Sequence, residues 1–139
     1  MTGCDRAWAL TAMLLGIHQS EEVLLSIQRW VDEVGTTGVP LLDAHLRDNP
    51  LAGLDWRKRV GVVASQGVCL WVLYRVTKHS RHLTRVVTSS LVLMWASAFC
   101  MHIGVSLRTH SFMPGTATSV FPGLPGAVFV WRRIRALTR

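Results

Sequence analysis

Histidine and two glutamates stand in the pentapeptide HQSEE, residues 18–22, inside a run that is otherwise apolar. An acidic residue at the centre of a bilayer costs about 2.5–3.5 kcal/mol on insertion scales, so groups of this kind mark functional sites. At 100° per residue, Glu21 falls about 60° to one side of His18 and Glu22 about 40° to the other, so all three share one arc of a helix. Two carboxylates in a low dielectric do not both stay ionised without a cation: either one holds a proton, or a metal or an arginine balances them. With a proton, one glutamate is a general acid and His18 or His102 moves the proton on. With a metal, His18, Glu21, Glu22 and His102 are the ligands, and mixed imidazole and carboxylate suits a hard or borderline divalent cation. In a third reading a glutamate pairs with Arg29, His102 or Arg108 and only locks the helices together. Residue types alone leave all three open.

The elements that must position these groups are apolar and long. Of 139 residues half are hydrophobic, and they fall in runs. Residues 7–17 are apolar but for Thr11 and Gly16, 60–76 carry one charge, Arg75, 86–107 carry none unless His102 is protonated, and 114–131 carry none. A helix needs about 20 residues to cross a hydrocarbon core. The pattern predicts an all-α polytopic membrane protein, a bundle of four transmembrane helices in one domain, 1–139, with spans at 7–31, 58–77, 86–107 and 114–132. A water-facing bundle is disfavoured because 86–107 offers only Thr88, Ser89, Ser90, Ser97, His102 and Ser106 as polar surface. The first run reads as a retained span, since Asp5 spoils the basic start of a signal peptide. Residues 35–56 form an extramembrane loop. Its apolar positions 39, 41, 42 and 46 before Pro50 suit a short interfacial helix as well as a solvated loop.

His102 on the third span is the best partner for the motif. Glu22 lies about 22 Å in from residue 7 and His102 about 24 Å in from residue 86. Trp95, one heptad earlier, and Ser106, one turn later, share its face and are expected to line the same pocket. On the first span Thr11, His18, Glu22 and Arg29 make a nearly axial polar stripe, completed by Leu14 and Leu25. Ser65 and Gln66 are weaker candidates, better read as bonds between helices. Pro122 and Pro125 are expected to kink the last helix. His110 reads as a loop residue. Cys4, Cys69 and Cys100 show no metal spacing, and the latter two read as small packing residues. Trp8, Trp30, Trp56 and Trp131 lie near span ends, as aromatic belts do, whereas Trp71 and Trp95 lie deeper.

Net charge is +7. Arg6, the basic residues of 75–85 and those of 132–139 account for nine of the fifteen Lys and Arg, which places both termini in the cytoplasm. Basic residues at span ends attract anionic headgroups. No soluble platform is left to present a basic patch to nucleic acid, so nucleic acid is excluded as a partner. The expected partners are the lipid bilayer and a lipophilic small molecule, with a homo-oligomer or a partner membrane subunit to complete the bundle.

HQSEE, together with the stretch from His102 through Ser106 to HSFMPGTATSVFPGLPGAVFVW at 110–131, resembles the small bacterial membrane proteins named for their HXXEE motif. The function of that family is not established. The resemblance implies a bacterial inner-membrane location and carries over His18, Glu21, Glu22, His102, Pro114, Gly115 and Thr118, the last three as pocket residues. It implies no reaction. The residues themselves favour an acid–base site for isomerisation or cyclisation of a lipophilic molecule, with deep indoles to stabilise a cationic intermediate. The rivals are a metal-dependent membrane enzyme with the same residues as ligands, and a non-enzymatic accessory subunit or proton or ion pathway.

Overall fold

A computed structural model describes residues 1–48 and 53–138, and among these every regular element is helical. Pro50, expected to close the short loop helix, and Arg139 of the basic tail lie outside the described residues.

Helix α1, Gly3–Leu24, opens on a reciprocal cap in which the Thr2 hydroxyl accepts from the Asp5 amide and the Asp5 carboxylate accepts from the Thr2 amide. It stops at Leu25, whose backbone is extended at φ −101° and ψ 136°. Ser26 then caps α2, Ile27–Val34, by accepting from the Arg29 amide. The expected single span 7–31 is therefore two helices. The cause is a distant residue: Arg59 donates from Nη1 to the carbonyls of Glu22 (3.3 Å) and Leu25 (2.7 Å), so the open end of α1 needs no further turn. The break also corrects the polar stripe, which ends at Glu22. Arg29 turns outward and pairs at 3.0 Å with Glu33, while Leu25 is exposed.

Helix α3, Pro40–Arg47, settles the loop in favour of a short helix, with proline in its first turn where the missing N–H is harmless. Leu46 packs with Trp30, Val105 and Met113. Asp43 accepts from the hydroxyls of Thr36 and Thr37 and from the Thr37 amide, and these bonds hold its carboxyl below the usual range. Arg108 donates to the Thr37 carbonyl at 2.7 Å rather than to a glutamate.

Among the described residues, helices α4, Trp56–Thr77, and α5, Arg81–Thr109, are the two that are long and apolar enough to cross a membrane. The segment expected as a last span at 114–132 is broken instead. A single turn, α6, Thr116–Thr118, leads into a wide turn at Ser119–Gly123, where Phe121 is extended, and then into α7, Leu124–Leu137. Pro122 sits in the break. Pro125 lies in the first turn of α7, where it is tolerated, so there is one kink and not two.

Helices α1, α5 and α7 pack on one another around Ala7, Leu14, Leu15, Val92, Phe99, Ala127, Val130 and Ile134. Trp8 donates to Thr77 at 3.1 Å, Tyr74 donates to Asp5 at 3.0 Å, and Gly3 lies against the backbone of Leu137. The start of α1, the α4–α5 link and the end of α7 thus gather at one end. Trp8 and Trp30 are buried hydrogen-bonded anchors, Trp30 on Ser111, and not belt residues. Cys69 and Cys100 face outward and only Cys4 is buried, which reverses the packing role expected of them. Ser65 donates to Val62 of its own helix and Gln66 is exposed, so neither links helices. Both sit on α4, of which Arg59 and Thr77 are buried and Leu70 packs against the core.

Candidate functional site

His18 and Glu22 lie one turn apart near the end of α1, and α5 brings His102 against them. Glu22 Oε1 is 3.3 Å from His102 Nε2 and 3.7 Å from His18 Nε2. One ligand atom from each of the three lies within 4.8 Å of the others. All three are buried, at 1, 6 and 3 % exposure for His18, Glu22 and His102. The His18 ring meets Trp95, Phe99 and His102 edge-on, at centroid distances of 5.3, 4.9 and 4.9 Å. Aromatic edges fix the ring without offering it a hydrogen bond.

Glu21 does something different. It turns towards α6, accepting from the amides of Ala117 (3.3 Å) and Thr118 (2.8 Å) and from the Thr118 hydroxyl (2.6 Å). That hydroxyl also lies 2.9 Å from His18 Nδ1. Its one proton goes to the close carboxylate, so its oxygen accepts from His18, and the Nδ1 carries hydrogen. The lone pair of His18 is then on Nε2, which is buried and has no hydrogen-bond partner. This tautomer is assigned from the network of bonds around it. The His102 Nδ1 is likewise buried without a partner.

The loop before α6 closes the site by backbone approach. Gly115 has φ +91°, and a Cβ there would sit 2.7 Å from His102 Cε1 and Nδ1 and 3.0 Å from His18 Cε1. Only glycine meets both demands. Pro114 beside it is buried. Ser106 does not point into a cavity: its hydroxyl accepts from the Met113 amide at 3.0 Å and bonds the Thr116 hydroxyl at 2.7 Å, tying the loop to α5. Thr11 is buried, but its hydroxyl is given to the Ala7 carbonyl. The structure therefore brings together His18, Glu22, His102 and Trp95, sets Glu21, Thr118 and Gly115 behind them, and uses Ser106 and Thr11 elsewhere.

Four residues here escape sequence reasoning. Arg59 holds the end of α1, Phe99 packs on His18, Thr116 donates to the His102 carbonyl at 3.3 Å, and Gln19 is buried within the motif. Phe99 lies three residues before His102 on the same face and Gln19 is in HQSEE itself, so periodicity held a signal for the first and the motif for the second. Arg59 had none, since its charge reads equally well as a span-end residue.

The family model described as "Protein of unknown function with HXXEE motif" matches residues 8–130. The chain belongs to this family. No curated protein and no solved structure matches it. The matched region takes in the whole cluster, the loop that closes it and the helices that carry both. Within the HXXEE motif of this chain the two glutamates make different contacts: Glu22 faces the histidines, and Glu21 bonds the Thr118 hydroxyl that also meets His18.

Proposed function

We propose that this chain is a four-pass integral membrane protein whose His18, Glu22 and His102 hold a divalent metal ion used in chemistry on a lipophilic molecule. One observation carries the reading: His18 Nε2, its lone pair freed by the bond from Nδ1 to Thr118, is buried without a partner and faces a carboxylate and a second imidazole. A metal ion satisfies that atom, and the Thr118 and Glu21 link is the outer support that metal-bound histidines normally have. Two imidazoles and one carboxylate suit zinc, iron(II) or manganese(II). Three protein ligands leave a coordination position open, the pattern of catalytic rather than structural sites. A metal so held polarises a substrate oxygen or lowers the pKa of a bound water.

The membrane reading rests on α4 and α5, joined by α1 and by the broken segment that ends in α7. Val68, Trp71 and Val76 on α4 are 60, 58 and 69 % exposed, a surface that suits lipid and not water. Basic residues at the end shared by the termini favour that end as cytoplasmic. The cluster then lies near the opposite face, beneath α2 and α3. An acid–base reading draws on the 3.3 Å contact between Glu22 and His102, which suits a shared proton. It leaves His18 Nε2 unaccounted for, and so ranks second.

Metal analysis of the purified protein in detergent, with titration of Zn²⁺, Fe²⁺ and Mn²⁺, tests the proposal. About one equivalent is expected, lost in His18→Ala, Glu22→Gln and His102→Ala and retained in Glu33→Gln. Thr118→Val is expected to keep the ligands and weaken binding about 10- to 100-fold, as loss of outer support does. Wild-type protein that binds no more metal than the three ligand variants would sink the metal reading and leave the proton.

A further inference from the structure

Where α1 begins and α7 ends, a groove of about 410 Å³ opens between them. That volume falls within the roughly 300–1,000 Å³ typical of small-molecule sites. Arg6 and Arg133, one from each helix, line it together with Ala9, Leu10, Phe129 and Leu137. Position along the helices sorts these residues. Ala9 and Leu10 follow Arg6 by three and four residues, and Phe129 precedes Arg133 by four, so on each helix they share the face of the arginine. The helical rise then sets that apolar wall about 5 Å further in than the charges, with Leu137 at the outer rim.

The charge in this groove is one-sided. Both arginines are exposed, and among the described residues no carboxylate pairs with either. Asp5, next to Arg6 in the chain, belongs to another surface: it accepts from the Thr2 amide at 2.7 Å and the Tyr74 hydroxyl at 3.0 Å, and it lines a separate groove with Trp8 and Trp71. The Arg133 guanidinium lies 5.3 Å from the centre of the Phe129 ring, a contact that holds its charge against the wall. The complementary ligand carries a negative group for two guanidiniums and an apolar chain for the surface beyond them. Free phosphate uses only the first feature and a neutral lipid only the second, while a choline head finds no carboxylate in these walls. We infer that the groove binds one anionic phospholipid, its phosphate on Arg6 and Arg133 and an acyl chain along Ala9, Leu10 and Phe129. The inference rests on the membrane part of the reading above, which puts this end at the anionic cytoplasmic leaflet, and not on the metal.

Native mass spectrometry of the full chain in detergent, titrated with phosphatidylglycerol and phosphatidylcholine of matched chains, tests the inference. One phosphatidylglycerol is expected to bind in preference to phosphatidylcholine. Arg6→Gln and Arg133→Gln are each expected to weaken it about fivefold, the worth of one basic residue at an anionic surface, and the double variant about 25-fold. Arg135→Gln removes the same charge at the same end but outside the groove, and is expected to leave binding within about twofold. Ala9→Trp fills the groove, keeps both arginines and is expected to weaken binding as well. An equal loss in Arg135→Gln would reduce the effect to diffuse attraction and overturn the proposal. Displacement of the lipid by excess inorganic phosphate, or undiminished binding in Ala9→Trp, would overturn it too. Alkaline extraction of membranes holding the same protein separates the two readings. Protein that stays in the membrane but shows no lipid preference loses the groove and keeps the spans. Protein released to the supernatant that still binds phosphatidylglycerol through Arg6 and Arg133 does the reverse.

Discussion

Helices α4 and α5 are both long and apolar, and they bury opposite amounts of themselves. Helix α5 sends Thr84, Thr88, Val92, Phe99, His102 and Val105 into the molecule, in steps of three, four or seven that keep one stripe. Helix α4 buries only Arg59 and Thr77, one near each end. In their apolar stretches 22 % of α5 and 6 % of α4 is buried, so one is a wall of the site and the other is mostly outer surface. Hydropathy rates them alike. What separates them is where the polar residues point: inward at Thr84, Thr88 and His102, outward at Ser65 and Gln66.

The sharpest break of this comparison is a pair of truncations. Phe99 is wholly buried, lies 4.9 Å from the His18 ring and packs against Gly123. Phe99→Ala is expected to cost about 3–5 kcal/mol, the usual loss for a core aromatic. Val68→Ala on α4 is expected to stay within about 0.5 kcal/mol, as surface changes do. Reversible unfolding in mixed micelles measures both. Equal losses would mean that α4 is packed against something on that face.

A charge placed on α4 asks what that something is. Val68→Arg is expected to lower insertion of the helix by about 2.5–3.5 kcal/mol in a translocation assay, because an arginine at the centre of a bilayer carries that penalty. A helix facing water would tolerate the same change within about 0.5 kcal/mol. Full insertion and normal stability of Val68→Arg would remove the membrane from the account of α4.

The contrast also sorts what the sequence made legible. The arc of HQSEE and the depth of His102 follow from helical geometry alone, and the 3.3 Å contact between Glu22 and His102 fits that estimate. The same geometry set Glu21 about 100° from Glu22, but the wheel cannot say what waits on the far side, and Thr118 reaches it from α6, 97 residues on. The kink at Pro122 was legible because proline carries its own local rule. The break at Leu25 was not, since no glycine or proline marks it and its cause comes from Arg59, 34 residues away. Local rules reach what is encoded within a turn or two. Contacts made by one long side chain across helices leave no period to read.

Arg59 therefore gives the last and smallest test, and it bears on whether α4 is separable from the site at all. Its Nη1 takes the carbonyls of Glu22 and Leu25, while its Nε is buried without a partner. Arg59→Met keeps most of the buried volume and removes the charge-assisted bonds, which are worth about 1.5–3 kcal/mol when made to a charged group. Part of that loss is returned because the orphaned Nε no longer has to be desolvated, so the net destabilisation is expected at about 1–2 kcal/mol. Because Glu22 is in the last turn that Arg59 holds, metal affinity is expected to fall in the same variant, with hydrogen exchange rising at the amides of 21–25. An Arg59→Met protein with wild-type affinity and protection would make α4 a helix that only covers the site. A loss of affinity out of proportion to the loss of stability would make its first turn part of what positions the carboxylate.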